Sequence, residues 1–359
     1  MVALGVLSFS KPTSYFTKLA HYSRAHSVTL YHFSPEEIDL HSQHINGLRY
    51  CPQKQEWQME VFPIPHFIYD RCFYTSSNSR SFLKKIEELK QSKHHQFLGY
   101  GLPNKWIVYQ ALCKSDPTIQ SFLPKTKRLT SSSFLLAQLK QQPKWLLKPI
   151  QGSQGRGLIL VNRENGMFKV KEVKQPGEKL FTFTTTGQFQ QWLHRKMKTN
   201  DYIFQPFLSL QSTDGYPFDI RILMQKDENG AWKEQIRVVR KGMQHHITSN
   251  LAGGGRMLPF STLLHDLSDF HQSKVEKDIR EIITHLPPNL EDSFQPLFEL
   301  GIDLGMDDQQ NLWILDINSK PGHKIVTMAS NLKQQEIYEA PSRYSRYLAA
   351  SSGNKMGVE

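Results

Sequence analysis

Two carboxylates and an amide near the C-terminal end indicate the chemistry to look for. The stretch LFELGIDLGMDDQQNLWILDINSKPG, residues 297–322, carries Asp303 on one apolar run and Asp316 and Asn318 on the next. Residues 298–306 and 312–317 have the composition of strands, and the polar run 307–311 reads as the turn of a hairpin. Side chains alternate across a strand. Trp313, Leu315 and Ile317 are therefore expected on one face, and Ile314, Asp316 and Asn318 on the other. If the hairpin is symmetric about Gln309 and Gln310, Asp303 lies opposite Asp316. Acids side by side repel. A hard divalent cation removes the repulsion, and carboxylate and amide oxygens are what Mg2+ takes. Taken alone, the pair reads equally well as two solvated acids on an exposed sheet.

A second stretch, WLLKPIQGSQGRGLILV at 145–161, reads as strand, glycine-rich turn and strand. Gly152, Gly155 and Gly157 permit positive φ and a close backbone approach to a ligand. Free N–H groups in such a turn form an anion nest. Ser153 adds a hydroxyl, Arg156 a cation, and Lys148 an ammonium from the strand just ahead. Neither a Walker A loop nor a dinucleotide-binding turn fits, because both lead into a helix. The bland alternative is a tight hairpin with a flexible tip; the strand lysine favours phosphate.

Three further segments suit the same ligand. Residues 202–208 (YIFQPFL) form a strand holding Pro206, expected at a sheet edge or hinge. Its free backbone groups and the Phe207 ring suit adenine. In 218–225 (FDIRILMQ), Asp219, Arg221 and Leu223 share a face; in 235–241 (QIRVVRK), Ile236, Val238 and Arg240 do, with 227–230 as the turn. A guanidinium holds carboxylate or phosphoryl oxygens bidentately, although solvated rungs on a sheet are the plainer reading. The loop 248–256 (TSNLAGGGR) is small, polar and able to wrap a ligand. His245 and His246 ahead of it lack a third partner for a metal. Arg71, Arg80 and Arg256 could meet a substrate carboxylate, but a surface role is the plainer reading for each.

The elements that must position these groups follow from periodicity. Strand, helix and strand over 2–33 predict a parallel α/β unit. A proline-broken strand at 61–70 and a helix at 81–93 follow. One of Ser131–Ser133 is placed to cap a helix over 134–140, strands at 168–183 precede a helix at 185–198, and a helix at 263–286 is expected to stop at Pro287 and Pro288. A last helix, 332–348, is expected to break at Pro341, and 351–359 to fray. With 359 residues the chain exceeds one ordinary core and suits two or three subdomains. Its net charge of +11 fits a polyphosphate, an anionic surface or nucleic acid. No helix-turn-helix, zinc-finger or RNP signature supports the last. Cys51, Cys72 and Cys113 are odd in number without CxxC spacing, which argues against a disulfide framework or zinc knuckle and for a reducing cytoplasm. The opening residues suit a first strand better than a signal peptide, and no run has the length of a membrane span.

Taken in order, these pieces resemble the ATP-grasp superfamily over about 105–322. FIYDRCFY, WLLKPIQGSQGRGL, FDIRILMQ, SNLAGGG and LDINSKPG together resemble the endospore coat-associated YheC/YheD-type ATP-grasp family of Gram-positive spore formers. The resemblance implies an α/β (α+β) ATP-grasp fold. Its elements are an N-terminal pre-ATP-grasp domain (1–104), a central subdomain with the glycine-rich lid (105–204), a C-terminal subdomain with the metal site (205–348) and a tail (349–359). It implies that Lys105 and Lys148 meet the α- and β-phosphates of ATP. The lid over them is 151–157, with Gly152, Ser153, Gln154, Gly155 and Gly157. Gln205, Phe207 and Leu208 would form the adenine hinge, and Asp219 a nucleotide-site acid. Arg221, Arg240 and Asn250 would lie around the transferred phosphoryl, and Asp303, Asp316 and Asn318 would bind Mg2+. Pro206 stands where relatives often have an acid, and Asp316 where glutamate is commoner, leaving one or two ions open. The implied activity is carboxylate–amine ligation through an acyl phosphate in the cytoplasm, with a tie to the spore coat. The implied partners are a small-molecule or peptide carboxylate and an amine, and neither nucleic acid nor membrane. The alternatives are a non-catalytic nucleotide-binding coat component and a kinase.

Overall fold

The protein is described by a computed structural model covering residues 2–74, 80–152, 155–174, 177–210, 212, 214–244, 246–247, 249 and 254–355. The N-terminal region comprises β1 (Val2–Leu7), α1 (Ser14–Ser23), β2 (Val28–Phe33), β3 (Ile38–Asp39), β4 (His44–Cys51), β5 (Glu56–Pro63), β6 (Phe67–Asp70), α2 (Arg80–Gln91) and β7 (Gln96–Phe97). The expected parallel unit is present: β1 pairs in parallel with both β2 and β6. The hairpin β4–β5 was not anticipated; β4 extends the sheet beyond β2, and β3 and β5 flank it.

Next come α3 (Lys105–Leu112), α4 (Pro117–Ser121), β8 (Lys127–Arg128), α5 (Ser132–Gln141), β9 (Lys144–Pro149), β10 (Ile159–Glu164), β11 (Met167–Val173), β12 (Glu178–Phe183), α6 (Thr186–Thr199) and β13 (Tyr202–Pro206). The strands form one sheet in the order β12-β11-β10-β9-β13-β8. Ser131 and Thr185 cap α5 and α6 through Phe134 N and Gln188 N. Leu147, Val161, Phe168, Phe189 and Phe204 fill the core between sheet and helices. Helices α3 and α4 bury Val108, Leu112, Ile119 and Phe122 elsewhere, in the core of the C-terminal region.

The C-terminal region holds β14 (Phe218–Lys226), β15 (Trp232–Lys241), β16 (Arg256–Pro259), α7 (Phe260–His265), α8 (Asp269–Ser293), β17 (Glu299–Met306), β18 (Leu312–Asn318) and α9 (Asn331–Lys355). Its sheet runs β16-β15-β14-β17-β18, antiparallel throughout. Ile220, Ile222, Leu300, Ile302 and Leu304 point into α8; the opposite face carries the charged groups.

Two proline expectations fail for one reason. Pro287 and Pro288 lie inside α8, and Pro341 inside α9. An interior proline costs about 3 kcal/mol. Leu286 and Leu290 are fully buried beside the first pair, as are Ile337 and Ala340 beside Pro341. Each large side chain so buried contributes roughly 1.5–3 kcal/mol, enough to carry the helix through. The Asn289 side-chain amide also donates to His285 O at 2.7 Å. Helix α9 continues to Lys355, past the point where the sequence suggested fraying.

The N-terminal region is pinned to the third sheet by buried charge. Glu299 on β17 accepts from Arg71, just after β6, and from the Tyr69 hydroxyl at 2.8 Å; its other oxygen meets His323 Nε2 at 3.1 Å. Arg71 also donates to Pro321 O at 2.6 Å. Arg71 is thus buried at the junction and not on the surface as the sequence suggested. Burial alone would raise the Glu299 pKa, but Arg71 and then His323 outweigh it and hold the carboxyl down at about 2. Lys320 adds a second pin, reaching Asp70 Oδ2 and Cys72 O at 2.7 Å each.

Removing one partner of such a pair strands the other. Glu299→Gln is expected to destabilise the protein by about 3–5 kcal/mol, read from the urea midpoint at neutral pH. Glu299→Leu combined with Arg71→Met should cost less than the sum of the single changes, because it removes both charges.

Candidate functional site

The paired acids sit where β17 meets β18. Asp303 is directly opposite Asp316, and Gly301 opposite Asn318. The route to that pairing differs from a symmetric hairpin. The turn closes Met306 on Leu312, one residue out of step with the acid pair, and the register shifts between Asp303 and Leu304. Leu315 is the extra residue of a β-bulge. The bulge changes which residues share a face: Ile314 joins Leu312 in the core, while Asp316 and Asn318 turn toward the charged side. The expected grouping of Ile314 with Asp316 is therefore wrong, because alternation does not survive an inserted residue. The bulge also frees a carbonyl, and Lys148 Nζ donates to Leu315 O at 3.3 Å.

Cations from three elements converge on the acids. Lys105, the first residue of α3, forms an ion pair with Asp316 Oδ1. It is placed there by the Asn104 cap, whose side chain accepts from Trp106 N and Ile107 N. Arg221 lies across from Asp303 on β14, with Nη1 2.8 Å from Oδ1. Arg240 on β15 brings Nη2 to 3.0 Å from the same oxygen. The Asn318 amide donates to Asp316 Oδ2 at 3.3 Å. Gly301 makes room for this packing: a Cβ there would lie 2.7 Å from both Arg221 Nη1 and Pro321 Cβ.

Asp303 Oδ1 and Arg221 Nη1 are buried without a well-aligned hydrogen bond despite their contact. Burial pushes the Asp303 carboxyl above its usual range, against the pull of both arginines. Asp316 is half-buried, and Lys105 holds it below that range against the opposing effect of burial. Among the described residues no three His, Cys, Asp or Glu side chains are grouped to hold a metal. A cation here would be held by two carboxylates and an amide. The under-bonded Asp303 oxygen and the all-oxygen donor set fit a hard divalent ion.

The facing sheet supplies the other wall. Lys148 on β9 and Gln205 on β13 line a cleft with Lys105, Leu315 and Asp316. Burial lowers the Lys148 pKa to about 8, with Asp316 opposing the shift. The positive-φ reading holds at Gly152, Gly155 and Gly157. Arg156 and Arg256 are exposed; Ser153 and Gln154 lie outside the described residues. So do Asn250, His245 and the side chain of Arg80.

Strand β13 is not the outermost strand, since β8 pairs beside it at Ile203 and Phe204. Beyond Phe204 no described strand pairs on that side. The Phe207 N–H is not a free donor: it bonds Lys144 O at 3.2 Å, continuing the register that pairs Ile203 with Lys148 and Gln205 with Leu146. Alternation then turns the backbone of Pro206 to the open side, where a missing N–H costs nothing. The Gln205 side chain is engaged with Thr126 Oγ1 at 2.6 Å. Asp219, expected to face nucleotide, has both oxygens occupied. Oδ1 accepts from Arg240 Nε at 2.6 Å and Oδ2 from the Ser249 hydroxyl. Ser249 was missed; nothing in a small polar loop marked it out from its neighbours. Glu299 was also missed as a partner, its acid having read only as an interruption of an apolar run.

With that geometry in view, comparison with known proteins is specific. A family model described as YheC/D like ATP-grasp matches residues 94–348. The endospore coat-associated protein YheC of Bacillus subtilis (strain 168) is 31% identical over 362 residues, covering 99% of this chain and 98% of its own. The endospore coat-associated protein YheD of the same organism is 26% identical over 332 residues, covering 88% of this chain and 70% of its own. Among solved structures, D-cycloserine synthetase DcsG aligns with a TM-score of 0.56 at 10% identity, covering 97% of this chain and 99% of that one. At that identity the likeness is one of fold.

Lys148 gives the cleft a pH signature. Its ammonium is charged below about 8 and neutral above. ADP affinity, measured by calorimetry, should therefore fall between pH 7 and 9. Lys148→Arg should flatten the profile, and Lys148→Met should weaken binding about tenfold or more at pH 7.

Proposed function

The chain belongs to the YheC/D-like ATP-grasp family, and from that premise we propose that it is an ATP-dependent carboxylate–amine ligase working through an acyl phosphate. The observation that carries the proposal is the convergence of Asp303, Asp316 and Asn318 with Lys105, Lys148, Arg221 and Arg240 between two sheets.

ATP would lie in the cleft with its adenine against the open side of β13. Pro206 C=O and Leu208 N–H are the acceptor and donor offered there, Phe207 N–H being already used. Gln205 serves by holding Thr126, and Phe207 and Leu208 by covering the base. Lys148 exchanges its weak bond to Leu315 O for the phosphates, and Lys105 moves from Asp316 to the same anion. Gly152, Gly155 and Gly157, with Ser153 and Gln154 between them in sequence, would supply the flap that excludes water from a hydrolysable intermediate. Asp303, Asp316 and Asn318 would hold Mg2+, which supplies charge neutralisation at the phosphoryl oxygens. A substrate carboxylate oxygen attacks the γ-phosphorus and the bond to the ADP oxygen breaks. Arg221 and Arg240 offset the charge spread over the transferring group, a role to which Asn250 would add. An amine nitrogen then attacks the acyl carbon, loses a proton and expels phosphate. No side-chain nucleophile is required.

A second reading is nucleotide binding without turnover. It is favoured by the pairing of both acids with lysine and arginine, which leaves the site stable without a metal. The relatives' names add the proposal that the protein associates with the endospore coat.

The test is ADP and phosphate release during ATP turnover with Mg2+ and a panel of carboxylates and amines. Wild type should release both in step with amide formation, and Asp316→Ala should lose at least about a hundredfold in rate. Equal rates would sink the metal assignment. Tight ATP binding without ADP release on any pair would favour the second reading.

A further inference from the structure

We propose that Ser249 and Asp219 are positioning residues that set the Arg240 guanidinium for the terminal phosphoryl group of the nucleotide; this rests on the ligase reading above.

Arg240 is almost completely buried and shared between two acids, with Nε on Asp219 and Nη2 beside Asp303. A guanidinium between two carboxylates is free to slide toward either. Asp219 prevents this only if its own carboxylate is fixed. Its backbone fixes half of the geometry, because Asp219 and Arg240 are a register pair across β14 and β15. The Ser249 hydroxyl fixes the rest by donating to the second oxygen, Oδ2. Ser249 is itself held: it is buried, and two residues earlier Ile247 N donates to Glu178 Oε1 at 2.8 Å, on β12 of the facing sheet. A line of contacts thus runs from the central sheet through Ser249, Asp219 and Arg240 to Asp303.

Two consequences follow for the chemistry. Both Asp219 oxygens are already engaged, so its contribution passes through Arg240. With Arg240 held on the Asp219 side, its outer nitrogens stay at the phosphoryl position. Without that hold, the guanidinium moves toward Asp303 and withdraws from that position. The effect is confined to ligands carrying a third phosphate.

The experiment compares Mg2+-dependent affinities for ADP and for the β,γ-imido analogue of ATP by calorimetry. Wild type should prefer the triphosphate analogue. Ser249→Ala should lose about tenfold of that preference, as expected for one charge-linked hydrogen bond, while its ADP affinity stays within about threefold. Asp219→Asn should show the same selective loss, and Ser249→Thr, which keeps the hydroxyl, should restore the preference. A general structural lesion would weaken both ligands together, and that outcome overturns the assignment. So does a Ser249→Ala protein with the wild-type preference, or a wild type that binds both ligands equally. Failure of wild type to bind either ligand would instead refute the ligase reading itself.

Discussion

Asp303 and Asp316 face each other across two hydrogen-bonded strands, in a place where neither is well solvated. Two like charges about 5 Å apart at an effective dielectric near 20 repel by roughly 3 kcal/mol, before any desolvation cost. A fold of marginal stability does not tolerate that without compensation. The compensation comes from three directions: Lys105 at a helix start, and Arg221 and Arg240 on the two strands beyond β17. The result is a nearly balanced cluster of alternating charge. Such a cluster exchanges partners readily, since a metal ion and a polyphosphate together bring both signs. The lysines and arginines that stabilise the acids in the protein alone are the groups that would meet phosphate oxygens when the acids turn to a cation.

Backbone irregularity makes the cluster possible. A regular hairpin of this length would have put Asp316 in register with Ile302 and driven its carboxylate toward the core. The bulge at Leu315 corrects the phase, keeping Leu312 and Ile314 apolar-side and Asp316 and Asn318 on the charged side. Its spare carbonyl is the point where Lys148 crosses from the other sheet. Gly301, on the neighbouring strand, has a comparable effect, because only a residue without a Cβ lets the Arg221 guanidinium lie against β17 beside Pro321.

Much of this was legible in the sequence, for identifiable reasons. Strand alternation is local, so the shared face of Asp219 and Arg221 could be read directly, whereas the pairing of Asp303 with Asp316 was expected from a symmetric turn and is reached instead through a bulge. Glycines requiring positive φ at 152, 155 and 157 were marked by their spacing. What escaped depends on contacts distant in the chain. Arg71 looked like a surface cation because its partner, Glu299, is more than two hundred residues away. Pro287, Pro288 and Pro341 looked like helix stops because local cost was visible and tertiary burial was not. The Arg240 and Ser249 contacts of Asp219 escaped because neither residue adjoins it in sequence.

The three regions are joined in unequal ways, and this bears on how a nucleotide enters. The N-terminal region and the third sheet share a core in which Leu4, Leu30, Phe298 and Tyr344 pack together, reinforced by the Arg71–Glu299 and Lys320–Asp70 pairs. The core of the central sheet contains no residue of the others. Across the cleft the contacts among the described residues named above are polar and few: Lys148 to a carbonyl, and Ile247 N to Glu178. Separating apolar cores costs in proportion to the area exposed, whereas each exchanged hydrogen bond of this kind is worth only about 0.5–1.5 kcal/mol net. Opening the cleft is therefore cheap for the central sheet and expensive for the other two regions. The hairpin β17–β18 stays with the N-terminal region as one body, and strand β9 ahead of the glycine turn belongs to the central sheet. In the proposed ligase, a substrate held by the N-terminal region would keep its distance from Asp303 and Asp316 while the cleft opens and closes, which is the arrangement that two successive transfers in one closed site would require.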